Sequence, residues 1–289
     1  MKTGIVILNY KTPELTYDLV HTCLSIPLID EIVVVDNYSN DFCVKKLYQL
    51  LSSLNSMKLK LIFNKNNSGY SIGNNIGLRE LVSSGCDICI VSNPDISFDC
   101  NTINELILAF EKYPEYGVIT TSRKMQLNEE RIRQYWDLPK KHELILENFT
   151  LYRKLYKEKH EYYDLDTSKY IINIEVSPGA FFGIRTLALL DIGFLDPNTF
   201  LYFEENCLAV KLRRTKYKIG IIPNAQYSCL DRKKNSVSEI QATTRSIEYY
   251  CKSKTYFASK YLKMNTIELF LLKITNRLFV LEKWLWIHK

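Results

Sequence analysis

Cys89-Ile90-Val91-Ser92-Asn93-Pro94-Asp95 is an apolar run that stops abruptly in turn residues. A run of this length bounded by such residues reads as a buried strand. Proline cannot continue a central ladder, so the strand ends there. Asp95 is left at the carboxyl end of the strand, the edge where open α/β sheets bind ligands. A carboxylate at that edge suits a hard divalent cation bridging phosphate oxygens. The plainer alternative is an Asp that caps a helix starting near Asn101.

Three further runs behave alike. Gly4–Leu8 meets Asn9-Tyr10-Lys11-Thr12-Pro13, and Ile32–Val35 meets Asp36-Asn37-Tyr38-Ser39-Asn40-Asp41. Leu59–Phe63 meets Asn64, then Asn67-Ser68-Gly69-Tyr70-Ser71-Ile72-Gly73-Asn74-Asn75-Ile76-Gly77. In a parallel sheet these polar clusters converge on one edge. Helical patterns near Pro13–Ser25, Asp41–Leu54, Ser71–Ser84 and Asn101–Lys112 alternate with the strands, and a fifth strand is expected near Val118–Thr120. The alternation predicts an α/β fold with a doubly wound, mostly parallel sheet.

Composition narrows the class. The chain has 289 residues and 46% hydrophobic content, enough for one large core or a catalytic domain with an appendage. Lys plus Arg total 38 against 32 acids, a net +6. That mild excess fits phosphates or an anionic membrane surface and is too small to indicate nucleic acid. Aromatic content of 12%, led by 20 Tyr, excludes disorder. The eight Cys follow no visible secretory signal, so free thiols in a reducing cytoplasm are expected. Cys86 and Cys89 have the spacing of half a zinc site, but no second pair follows, which favours packing residues.

Asn9-Tyr10, Val35-Asp36-Asn37-Tyr38-Ser39-Asn40-Asp41, Asn67-Ser68-Gly69-Tyr70 and Asn93-Pro94-Asp95 together resemble the successive motifs of family 2 glycosyltransferases. So do Ser177-Pro178-Gly179-Ala180-Phe181-Phe182-Gly183-Ile184-Arg185, Gly193-Phe194-Leu195-Asp196 and Phe200-Leu201-Tyr202-Phe203-Glu204-Glu205. Each motif alone is weak; their order is specific. The resemblance covers about residues 3–230 and leans to the bacterial rhamnosyltransferase-like branch. It implies a GT-A fold and inverting transfer of a hexose or deoxyhexose from a nucleoside diphosphate sugar. The acceptor would be a hydroxyl of a glycan or lipid-linked glycan, as in O-antigen or capsule assembly.

Carried onto this chain, the resemblance gives roles. Glu205 is the expected general base, with Glu204 its rival, because relatives carry an acidic pair there. Asp95 would hold Mg²⁺ or Mn²⁺, and Asn93 stands where many relatives have Asp. Asn9, Tyr10, Asp36, Asn37, Ser39, Asn67, Gly69, Asn75 and Asn93 would line the nucleotide site. Relatives commonly place a metal-binding His near Ser228-Cys229, where this chain has none. Thiolate is a poor ligand for Mg²⁺, and Arg232-Lys233-Lys234 would then balance the diphosphate. Two rivals remain: a non-catalytic homologue that binds a glycan or partner, and a nucleotidyltransferase, which would normally show a Gly-rich basic loop after the first strand.

Residues 1–232 are thus expected to form the catalytic domain. Residues 122–170, charged and Tyr-rich, read as helices and loop beside the acceptor cleft, or as a solvated insert. Residues 233–289 read as a helical extension. Within it, Asn265–Lys289 has an apolar pattern too densely charged to span a bilayer. It would lie on a membrane interface as an amphipathic helix, making the protein peripheral on the inner face of the membrane, or else pack on protein.

Overall fold

The computed structural model describes residues 1–125, 132–156, 161–230 and 238–287. The first half is the expected alternation. In chain order it comprises β1 (Thr3–Asn9), α1 (Pro13–Leu24), β2 (Glu31–Asp36), α2 (Asp41–Ser52), β3 (Leu59–Phe63) and α3 (Gly69–Ser83). It continues with β4 (Ile88–Ser92), β5 (Ile96–Ser97), α4 (Cys100–Lys112) and β6 (Tyr116–Arg123). The second half carries β7 (Tyr135–Trp136), α5 (Lys141–Leu146), α6 (Thr150–Tyr156), β8 (Glu161–Tyr162), β9 (Ile172–Ile174) and β10 (Phe181–Arg185). It ends with α7 (Thr186–Asp191), α8 (Glu204–Arg213), β11 (Lys218–Cys229), α9 (Ser238–Lys260) and α10 (Thr266–Ile287).

The central sheet has the order β3-β2-β1-β4-β10-β6-β11-β5, with β9 paired to β11. Pairs β1–β2, β1–β4, β2–β3 and β6–β11 are parallel, whereas β10 runs antiparallel between β4 and β6. The order reverses at β1, which lies between β2 and β4, and such a switch point opens a crevice at the carboxyl ends of the strands. Register places Asn9 directly beside Asp36 at that edge.

Period-two alternation builds two cores. Ile5, Ile7, Ile32, Val34, Ile88 and Ile90 face the side covered by α1, α2 and α4. Val6, Val33, Val35, Cys89 and Val91 face the side of α3, α7 and α8. Helix α3 approaches β1 closely because Gly73 and Gly77 form its inner stripe; a Cβ at Gly77 would overlap Val6 Cγ2. Cys86 and Cys89 are buried among these apolar residues, burial pushes their thiols up to about 12 and about 11, and all eight cysteines are free. Protonated packing thiols explain the pair.

The expected helix start near Asn101 is Cys100, and its cap is Asp99, whose carboxylate accepts the Thr102 amide at 2.8 Å. The cap of this helix is thus Asp99 and not Asp95.

A third core joins the C-terminal helices to α5 and the start of α8. Phe257 and Ala258 of α9, with Met264 and Leu272, bury against Leu144 of α5 and against Phe203 and Cys207 at the start of α8. The extension is thus packed along one face, not appended.

Gly77→Ala should lower unfolding stability by about 1–3 kcal/mol, the usual cost of overpacking. Denaturant melts check this; Gly85→Ala, where a Cβ meets open space but φ is +77°, separates packing from backbone strain.

Candidate active site

The polar edge is held together by its own side chains. Asn9 is fully buried; its Nδ2 donates to Asp36 Oδ1 at 2.6 Å, and its Oδ1 accepts Thr16 Oγ1 at 2.9 Å and the Thr12 amide at 3.2 Å. Asp36, only 1% exposed, also accepts the Ser39 amide at 2.9 Å, while Ser39 Oγ accepts the Lys11 amide at 2.8 Å. Asn37 reaches the next loop, donating to Asn67 Oδ1 at 3.0 Å and to the Gly69 carbonyl at 3.1 Å. So Asn9, Asp36, Asn37, Ser39, Asn67 and Gly69 do come together. The first four are buried within the edge, and the exposed surface there includes Tyr10, Lys11, Tyr38 and Asn40.

Asn75 lies apart from the Asn67–Gly69 loop. Its Nδ2 donates to the Leu195 carbonyl at 2.9 Å and its Oδ1 accepts the Leu195 amide at 3.0 Å. Both ends of the amide are spent clamping α3 to Gly193-Phe194-Leu195-Asp196. Gly69 has φ +82°, and a Cβ there would strike the Phe200 carbonyl oxygen, so only glycine fits. The Phe200 carbonyl accepts the Tyr70 amide at 2.9 Å.

Asp95 stands just past β4. The Asn93 amide donates to the Ala180 carbonyl at 2.9 Å, and the Leu230 amide donates to the Asp95 carbonyl at 2.7 Å. Short strand β5 pairs Ile96 with Cys229 and Ser97 with Ser228. The fold therefore delivers Cys229 to the neighbourhood of Asp95, where the resemblance expects a His. Among the described residues no three His, Cys, Asp or Glu side chains cluster as a metal site. The donor set offers one hard anionic oxygen ligand, Asp95. It fits a divalent cation only if a ligand's own oxygens complete the shell. Arg232, Lys233 and Lys234 lie outside the described residues.

Glu204 and Glu205 open α8. The two residues before them, Tyr202 and Phe203, have φ +70° and +64°, strained positions for aromatic side chains. The turn is held by Ser253 Oγ of α9, which donates to the Leu201 carbonyl at 2.9 Å, and by burial of the Phe203 ring against Phe257. Glu204 is 7% exposed, and its Oε2 meets no hydrogen-bond donor among the described residues. Burial, then the charge of Glu205, pushes its carboxyl up to about 8. Burial also raises Glu205, against the opposing pull of the Arg133 charge and the Gly179 amide. Two close carboxyls in a dry site titrate as a pair.

The two glutamates face differently. Glu205 lines a cavity of about 570 Å³; Glu204 does not. Gly179 lies against Glu205, since a Cβ there would come within 2.8 Å of Oε1. On its other side, the Tyr70 hydroxyl donates to the Gly179 carbonyl. Sequence reasoning did not single out Tyr70, Gly179 or Arg133 as site residues. The motifs Asn67–Tyr70 and Ser177–Ala180 contained two of them, but nothing local shows that these loops meet.

Residues 4–173 match the sequence profile of Glycosyl transferase family 2. The low-salt glycan biosynthesis hexosyltransferase Agl10 of Haloferax volcanii is 27% identical over 218 residues, 75% of this chain and 63% of that protein. The chain thus spans less than two thirds of that relative. Among solved structures, GalNAc-T7 with UDP, GalNAc and Mn²⁺ superposes with a TM-score of 0.62 at 15% identity, over 96% of this chain and 54% of that one. The mannosyltransferase PcManGT of Pyrobaculum calidifontis, with GDP-Man and Mn²⁺, gives 0.59 at 12% identity over 96% and 72%. S. aureus TarS 1–349 with UDP-GlcNAc gives 0.54 at 12% over 95% and 79%. These likenesses establish the GT-A-like fold.

Glu204 makes a pH signature. Its folded pKa, about 8, lies above the ordinary 4.5, so its contribution to stability is full below about 4.5 and is lost as pH rises to about 8. Glu204→Gln should therefore melt a few degrees above the wild type at pH above ~8, with the gain vanishing toward pH ~5, read by thermal melts across pH.

Proposed function

The chain belongs to Glycosyl transferase family 2, and we propose on that footing that it is an inverting glycosyltransferase acting on a nucleoside diphosphate sugar. The observation that carries this is the convergence of Asp95 and Glu205 on one loop. Asn93 is tied to Ala180, and Gly179 lies against Glu205. A carboxylate at the sheet edge and a second carboxyl across the cleft suit the two ends of a displacement.

Transfer needs a group to accept the proton of the attacking hydroxyl. Glu205, in its ionised form, takes that proton. The hydroxyl oxygen forms the new bond to the anomeric carbon, and the nucleoside diphosphate leaves with the electron pair of the broken bond. The raised carboxyl makes Glu205 a stronger base than a solvated glutamate, at the cost of being ionised over less of the pH range. Asp95 is the residue that would hold Mg²⁺ or Mn²⁺, and such an ion would supply positive charge toward the leaving group. PcManGT is seen with GDP-Man and TarS with UDP-GlcNAc, and a hexose or deoxyhexose donor with a rhamnosyltransferase-like preference is the finer reading for this chain. The acceptor would be a lipid-linked glycan in surface polysaccharide assembly, such as O-antigen or capsule.

The cytoplasmic, membrane-peripheral reading rests on α10. No helix among the described residues is long and apolar enough to cross a membrane. The outer face of α10 nevertheless exposes Ile267, Phe270, Ile274, Leu278, Leu281 and Leu285, a continuous stripe at helical spacing. Its acids are neutralised from the insert: Glu268 pairs with Lys141 at 3.2 Å and Glu282 with Arg153 at 2.9 Å. Lys273 and Arg277 remain exposed beside the stripe. An apolar face with a cationic rim suits an anionic lipid surface.

Glu205→Gln should lower kcat by about 10²-fold or more with nucleotide affinity nearly unchanged, measured by nucleotide release and titration. Asp95→Ala should abolish turnover at unchanged melting temperature. A well-folded Asp95→Ala protein with near-normal turnover, or equal loss with Glu204→Gln and none with Glu205→Gln, refutes the assigned roles. Phe270→Asp with Leu278→Asp should release the protein from vesicles rich in anionic lipid without changing its melt, and added salt should weaken wild-type binding.

A further inference from the structure

The 570 Å³ cavity beside Glu205 is built from three separated parts of the chain. The insert supplies Trp136 and Arg133, the start of α8 supplies Glu205, and α9 and α10 supply Tyr250, Lys254 and Phe279. Its volume falls within the roughly 300–1000 Å³ of small-molecule sites.

Its chemistry distinguishes among ligands. Three of the four cations on its wall have carboxylate partners: Arg133 meets Glu161 at 2.7 Å, Arg153 meets Glu282 at 2.9 Å and Lys254 meets Glu147 at 3.1 Å, while Lys283 lies over the Phe279 ring at 5.6 Å. A diphosphate needs cations whose charge is not already matched. A neutral polyhydroxylated ring instead needs N–H donors, carboxylate acceptors and aromatic faces side by side, which this wall provides. Arg133 lies 4.1 Å from the Trp136 ring centroid, fixing both groups.

The wall is anchored from behind. Lys254 is fully buried and donates to Glu147 and Asn148. Asn148 donates to Thr275 Oγ1 at 2.8 Å and Asn276 Oδ1 at 3.0 Å, and the Tyr250 hydroxyl donates to Glu147 at 2.9 Å. This network ties the insert to both C-terminal helices. Such satisfied buried networks fix a unique geometry, and here they fix the floor of a cavity that opens on Glu205.

We infer that this cavity is the acceptor subsite, that it takes the neutral end of a glycan, and that α9 and α10 form its far wall. The assignment rests on the glycosyl-transfer reading above. A hydroxyl of that glycan end gives its proton to Glu205, and its oxygen bonds to the anomeric carbon as the nucleoside diphosphate departs.

The test uses full-length protein and two variants that intrude on the cavity from different walls, Ile247→Trp on α9 and Lys283→Trp on α10. The second keeps the test open should the first fail to fold. Probes are a panel of nucleotide sugars, with octyl glycosides of neutral hexoses and of glucuronic acid as acceptors. Donor hydrolysis to water and nucleotide Kd report on the donor side alone. Both variants should keep those values and raise the neutral acceptor's KM by about tenfold or more, the mark of lost acceptor binding. Absence of donor hydrolysis and nucleotide binding in the wild type would defeat the glycosyl-transfer reading itself. With donor hydrolysis present, three results overturn the subsite: unchanged acceptor KM in both folded variants, weakened nucleotide binding in place of acceptor binding, or no binding or glycosylation of any neutral glycoside. Preference for the glucuronide would overturn the neutral class.

Discussion

Gly179 sits between α3 of the first half of the chain and α8 of the second. Its carbonyl accepts the Tyr70 hydroxyl from α3, and its Cα faces the Glu205 carboxylate at the start of α8. A side chain at 179 would push Glu205 away, so the approach of its carboxyl to this loop is set by the absence of a Cβ. Burial around this contact has a consequence for every ionisable group nearby. Tyr70 is raised well above its ordinary value by burial and then by the two glutamates, so it stays a hydrogen-bond donor. Glu204 and Glu205 are raised by the same loss of solvent. One dry junction thus sets the position of the Glu205 carboxyl and its proton affinity together.

The junction is kept by elements far away in sequence. Tyr202 and Phe203 occupy left-handed backbone, which costs of order 1 kcal/mol or more each and persists only when surroundings over-determine it. Ser253, Phe257 and Tyr250 of α9 supply that determination by bonding Leu201 and enclosing Phe203. Helix α10 then packs Leu272 into the same cluster, and Asn276 donates to Thr255 of α9 at 3.1 Å. The C-terminal helices therefore act on Glu205 twice, clamping the turn before it and walling the cavity that it lines. Their opposite face remains apolar and exposed, which couples the site's geometry to whatever surface covers that face.

The sheet edge follows a different rule. Asn9, Asp36, Asn37 and Ser39 satisfy one another and the loop backbones, so most of their polarity is spent on shape. What that shape offers a ligand is the rim around it, with Tyr10 and Tyr38 exposed and Asp95 at the end of β4. The chemistry left to Asp95 is that of one carboxylate beside a thiol, and hard-cation chemistry there depends on oxygens a substrate brings.

The amino-acid sequence by itself determined the layered sheet, because four apolar runs ending in polar clusters have few other solutions once proline and glycine stop them. It also pointed to the sheet edge where polar residues gather, since Asp36 ends β2 and Asp95 comes just after the Asn93-Pro94 turn that stops β4. It separated Glu205 from ordinary helix acids only through resemblance, for two adjacent acids at a helix start look the same whether they cap or catalyse. Tertiary structure decided which one faces the cavity, because that depends on how Tyr202 and Phe203 turn the chain into α8. It turned Asn75 from a loop residue into a clamp on Leu195, and gave the capping role to Asp99 in place of Asp95. It also decided the fate of α10: its periodicity shows an apolar helix, but both faces of that helix are apolar. Only packing against Leu144, Phe203 and Phe257 chooses the buried one. Local pattern fixes the elements and their polarity; contacts between residues a hundred positions apart are set by the volume each core must fill.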